Sequence, residues 1–103
     1  MVFRRVREDQ VDRLREWMNE LTRRQDEVRQ TFANERVRHE QAFLIEAREG
    51  PVLVYAIEVE DEEQARKAYE SSTLPIDHQH RQVMDTVLAG PAAVDLLYDV
   101  RVA

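Results

Sequence analysis

The sequence predicts a single α+β domain: a four-stranded antiparallel sheet with its helices on one face. Three observations carry that expectation. A short strand pattern is followed at once by a long amphipathic helical stripe, two strand-forming runs meet at a glycine–proline turn, and helical segments then lead into a last run of strand formers. The length of 103 residues matches one domain spanning 1–103. A core of that size covers only roughly two-thirds of the surface its unfolded chain exposes, so association is a natural supplement.

Val2, Phe3 and Val6 interleave with Arg4, Arg5 and Arg7 as a first strand. Asp9 then offers an N-cap, and Val11, Leu14, Met18, Leu21, Val28 and Phe32 recur at three- and four-residue steps with Trp17 at their flank. That spacing predicts one helix from Asp9 to Ala33, although Gln25 interrupts the stripe, and Asn34 is its expected left-handed stop. Val37–Ala47 and Val52–Glu60 alternate as two strands of a hairpin, with Arg48-Glu49-Gly50-Pro51 as the turn and Ile45 opposite Val54. Asp61-Glu62-Glu63-Gln64 resembles a capping box for a short helix to Ser71. A loop over Ser72–Ile76 precedes a helix from His78 to Ala89, capped by Asp77 and ended by Gly90-Pro91. Val94–Val102 is the expected last strand. With an extra short helix before that strand, this order is the βαββαβ of a ferredoxin-like fold.

Charge narrows the partners. The net charge is −6, and residues 1–36 carry nine arginines against eight acids, so the excess acid lies in the rest of the chain. Nucleic-acid binding needs a basic footprint that this distribution does not supply. The chain has no cysteine, which removes thiolate nucleophiles and Cys-ligated metal sites and fits a reducing, cytoplasmic setting. The longest apolar run, Val52–Ile57, is far short of the ~20 residues of a membrane helix.

One hairpin face holds Ala42, Leu44, Leu53, Tyr55, Ile57 and Val59 around Glu40 and is the expected helix-covered side. The other holds Phe43, Ile45, Val52 and Val54, with His39, Gln41 and Glu58 at its far end. That second face is too apolar for water, and no helix remains to cover it. A second copy of the same sheet is the simplest cover, giving a homodimer of the dimeric α/β-barrel kind.

Candidate chemistry is sparse. His78 and His80, two positions apart on a helix, point roughly 200° away from each other and do not share an ion, so no metal is expected. His80 falls on the inner side of its helix, where the simplest reading is a core histidine satisfied by a backbone carbonyl; the functional one is a site residue. Glu40 on an apolar face is either ion-paired to a neighbouring arginine such as Arg36 or Arg38, or a carboxyl of raised pKa suited to general-base work. Tyr55 and Tyr98 read as core rings with satisfied hydroxyls, and Trp17 as packing. Small-ligand contacts, if present, fall to His80, Asp77, Tyr55 and His39. No phosphate loop, nucleophile elbow or cofactor motif occurs, and no cofactor is expected. Two readings follow: a homodimeric small-ligand-binding or structural domain, and a small cofactor-independent enzyme using His80 or Glu40 as acid–base group.

The stretches Arg38-His39-Glu40-Gln41-Ala42-Phe43-Leu44, Leu53-Val54-Tyr55, Pro75-Ile76-Asp77-His78-Gln79-His80-Arg81 and Leu96-Leu97-Tyr98-Asp99 resemble an uncharacterised family of small bacterial proteins. The resemblance implies a dimeric ferredoxin-like fold and no assigned activity. It also implies a glycine near Glu35-Arg36, at the turn before the second strand, where this chain has none.

Overall fold

The computed structural model describes residues 1–102. The chain begins with β1 (Val2–Val6), a 3₁₀ turn (Glu8–Gln10), and two helices, α1 (Val11–Arg23) and α2 (Gln25–Glu35). The hairpin β2 (Val37–Ala47) and β3 (Gly50–Val59) follows, then α3 (Glu62–Glu70), α4 (Pro75–Val87) and β4 (Leu88–Pro91). The strands form one antiparallel sheet in the order β2-β3-β1-β4, so β2 and β4 are its edges. No helix among the described residues is long and apolar enough to cross a membrane.

The core sits between the sheet and α1 and α4. Val6 of β1 and Leu53 of β3 pack with Leu14 and Trp17 of α1 and with Ile76, Val83 and Val87 of α4. Trp17 is therefore a centre of the core and not the flank that its position beside the stripe indicates.

Several expectations are corrected. The single helix over 9–33 is two, broken at Arg24, whose backbone (φ −110°, ψ 41°) is not helical. The break falls beside Gln25, where the apolar stripe lapses, and it is pinned by the Arg24 guanidinium. That group donates to both Glu27 carboxylate oxygens (2.6 and 2.9 Å) and to Gln79 Oε1 on α4 (2.6 Å). The left-handed stop is Arg36 (φ 57°, ψ 36°) and not Asn34, because α2 runs on to Glu35. This is the place where the family resemblance implies glycine.

The hairpin is tighter than the four-residue turn expected. Ala47 lies opposite Gly50, so Phe43, and not Ile45, is level with Val54. A shift of two residues preserves every face, since side chains alternate with period two. On the expected core face Leu53 is buried but Ile57 is exposed, while Val54 of the other face is buried, and Asp61 does cap α3, accepting the Gln64 N–H at 3.1 Å.

At the C-terminal end, α4 starts at Pro75, three residues earlier than expected. Proline fits the first helical turn because its missing N–H has no helical partner there. Asp77 therefore lies inside the helix and caps nothing, and the preceding loop is shorter than Ser72–Ile76. The last strand is Leu88–Pro91, and Val94–Val102 has no regular structure. Arg5 and Arg4 of β1 lie level with Gly90 and Pro91, which uses up the length of β1 before Val94 is reached.

Candidate functional site

The polar side chains gathered under the helices fall into two linked groups. The first runs from α1 through α4 to β3. The Trp17 indole N–H, which can only donate, meets His80 Nδ1 at 2.8 Å. Nδ1 is therefore an acceptor, and the imidazole proton resides on Nε2. That nitrogen lies 3.5 Å from the Tyr55 hydroxyl oxygen, and the Tyr55 O–H in turn faces Met84 Sδ at 4.0 Å. Every donor in the chain Trp17–His80–Tyr55–Met84 has a direction, and no imidazole lone pair is left over. Burial lowers the His80 pKa to about 4 against the opposing pull of Asp77, so the ring is neutral across the physiological range. Tyr69 stands edge-on to it, with ring centres 6.2 Å apart, and burial raises the Tyr69 hydroxyl to about 12.

The second group is carboxylic. Asp77, buried, accepts the Thr31 hydroxyl at 2.6 Å and the Ser72 hydroxyl at 2.5 Å through Oδ2. Thr31 Oγ1 is also 3.0 Å from Glu35 Oε1. One hydroxyl holds one proton, so the Thr31 O–H is shared between the Asp77 and Glu35 carboxylates. Burial moves the Glu35 pKa upward, the Thr31 hydrogen bond opposes that shift, and the nearby Asp77 charge adds to it. Arg81 closes the loop between α3 and α4, donating to the carbonyls of Tyr69 (2.8 Å) and Ser72 (3.0 Å) while lying over the Tyr69 ring.

Glu40 of β2 belongs to neither network. Among the described residues its carboxyl has no hydrogen bond and no ion pair; the neighbouring Arg38 turns instead to Glu60 (3.3 Å) and Glu58 (3.9 Å). Burial, with the Glu35 charge as a second cause, raises the Glu40 pKa to about 7. The Tyr55 hydroxyl is pushed above its ordinary range by its own burial first and by the Glu40 charge next.

The structure thus unites His80 and Tyr55 through a hydrogen bond and sets Asp77 and Glu40 close enough to influence them electrostatically. His39 and His78 are exposed and lie outside the group, and Tyr98 is 82% exposed rather than a core ring. The backbone-carbonyl partner expected for His80 is replaced by the Trp17 and Tyr55 side chains, and the ion pair expected for Glu40 is not made within the chain. Sequence reasoning missed Thr31, Ser72 and Glu35. The only signal for Thr31 was a small polar residue between Val28 and Phe32 on an apolar stripe. Shallow, open surface hollows around Gln64, Lys67 and Ser71 and around Thr22–Glu27 lie elsewhere.

Comparison with protein families matches residues 2–102 to a family of unknown function, DUF6176. The chain belongs to that family. No curated protein and no solved structure matches it. Membership in DUF6176 assigns no reaction, so function has to be argued from the geometry above.

Proposed function

We propose that the protein is a homodimeric, cytoplasmic domain of ferredoxin-like form that binds a small polar molecule at Glu40 and does no acid–base chemistry at His80. The ferredoxin-like assignment is supported by the strand order β2-β3-β1-β4, in which each helical crossover spans one intervening strand. A dimeric α/β barrel is supported by the outer sheet face, where Phe43 and Ile45 are 48% and 47% exposed although their neighbour Val54 is buried. The acidic balance of the chain argues against a nucleic-acid partner.

The observation that carries the binding reading is the Glu40 carboxyl, set into an apolar surface without an intrachain partner. Glu40 is half-buried, and a carboxyl held partly out of water with no hydrogen-bonding partner is a place for a polar ligand. A second reading, a cofactor-independent enzyme, is favoured by one fact: a carboxyl with a pKa of about 7 is suited to general-base work at neutral pH. In that reading Glu40 alone is the base, because the His80 lone pair is committed to Trp17.

A thermal-shift screen of polar metabolites against the wild type and Glu40→Gln at pH 8 tests the binding site. Ligands that bind only the native state raise its melting temperature by mass action. The expected result is a set of ligands that stabilise the wild type and leave the variant unmoved. Equal responses from the two proteins refute the reading.

A further inference from the structure

The C-terminal segment is the least explained part of the molecule. Val94, Leu96, Tyr98, Val100 and Val102 occupy alternate positions, with Asp95, Leu97, Asp99 and Arg101 between them. That is the pattern of a strand with one apolar face. Yet the segment forms no strand, and those five side chains are 60%, 78%, 82%, 66% and 99% exposed. Its own sheet has no place for it. The last backbone contact is Ala92 N–H to Phe3 O at 3.5 Å, and beyond that level β1 ends, so the segment runs off the sheet next to its short β4 edge.

At the opposite edge the structure holds a free strand that fits. β2 is 11 residues long, is paired only to β3, and leaves its outer row of N–H and C=O groups without strand partners. An open edge of that length is a template for another strand. Its exposed Phe43 and Ile45 supply an apolar face to be extended. Within one chain the two are kept apart, since β3 and β1 lie between β2 and β4.

We infer that residues 94–102 of one copy add as an antiparallel strand to the β2 edge of a second copy, and reciprocally, so that each copy is completed by its partner's tail. This rests on the dimer reading above. Among antiparallel registers that keep the apolar face on the Phe43 side, one sets Leu96 beside Ile45, Tyr98 beside Phe43 and Arg101 beside Glu40, with Asp95 facing the exposed Glu46 near the turn. Sliding two residues one way brings Arg101 against Arg38 and Asp99 against Glu40; sliding two the other way sets Asp99 against Leu44. The favoured register sets Arg101 of the second copy beside the Glu40 carboxyl, so the polar site of the binding reading is built from both copies and is incomplete in a single one. A twofold arrangement closes on itself and leaves neither tail free.

Because the protein has no cysteine, introduced thiols report the contact directly. Phe43→Cys and Tyr98→Cys chains are mixed and oxidised, the double variant is oxidised alone, and a chain ending at Ala93 is compared with the intact chain by light scattering over a concentration series. The inference expects a disulfide joining the two different chains in the mixture. It also expects the shortened chain to dimerise about 100-fold more weakly, as loss of several buried apolar side chains requires. A disulfide formed within one chain at monomer mass overturns it, because the tail then covers its own sheet. No disulfide, with the shortened chain dimerising as tightly as the intact one, overturns the tail exchange and leaves the dimer reading standing. An intact chain that stays monomeric at high micromolar concentration overturns both. The disulfide arm holds even if the shortened chain fails to fold.

Discussion

Protonating His80 means charging a ring that is packed under the helices and whose Nδ1 lone pair already accepts the Trp17 N–H. Burial is the main cause of its lowered pKa; Asp77 pulls the other way and Arg81 lowers it slightly further. The unfolded chain takes up the proton near 6.5, whereas the native chain resists until about 4. The stability tied to His80 is therefore present above pH 6.5, declines as the pH falls, and is lost below 4. At about 1.36 kcal/mol per pH unit the gap amounts to ~3 kcal/mol. Glu35 and Glu40, whose pKa values are raised, contribute in the opposite sense over acidic pH, so the profile of the whole protein mixes these effects. Comparing the wild type with His80→Gln isolates the histidine to the extent that the sites are independent. A glutamine amide can still accept from Trp17, and the variant should lose about 1–2 kcal/mol at pH 7.5 through imperfect hydrogen bonding. Urea titrations between pH 7.5 and 4 should then show the wild-type advantage shrink and reverse, a swing of ~3 kcal/mol. Nitrogen-15 spectra should show the neutral Nε2–H tautomer at pH 7.5 and imidazolium emerging only as the pH approaches about 4. A stability gap that does not move with pH, or an imidazole that titrates near 6.5, would refute the assignment of His80 as a neutral hydrogen-bonding core residue.

Two other predictions follow from particular residues. Glu40 has a raised pKa, so its contribution is most favourable below pH 4.5 and is lost as the pH rises through about 7. In the chain ending at Ala93, Glu40→Gln should therefore add up to ~3 kcal/mol at pH 8 and little at pH 4.5, by denaturant titration; the gain should shrink in the intact dimer, where Arg101 of the second copy offsets the charge. Arg36→Gly should raise stability by about 0.5–1 kcal/mol, because glycine relieves the left-handed backbone at φ 57° but loses more unfolded-state freedom. Thermal melting checks this, and a destabilised glycine variant would show that the Arg36 side chain does more than tolerate the turn.

Local rules determined the elements whose causes are local. The Val11–Leu21 stripe, the Asp61 cap on α3 and the alternation of the hairpin each lie within a few residues, and each appears in the structure as the sequence implies. The hairpin faces survived even a two-residue error in register, because a period of two forgives shifts of two. What only the tertiary structure decided involves residues distant in sequence. Trp17 and His80 are 63 positions apart and Thr31 and Asp77 are 46 apart, so no local pattern shows that one satisfies the other. Those contacts fix the tautomer of His80 and explain a buried aspartate that reads from sequence as a helix cap. The fate of Val94–Val102 is decided the same way: its alternation specifies a strand, but a strand exists only where another offers its edge, and β1 ends before the segment begins.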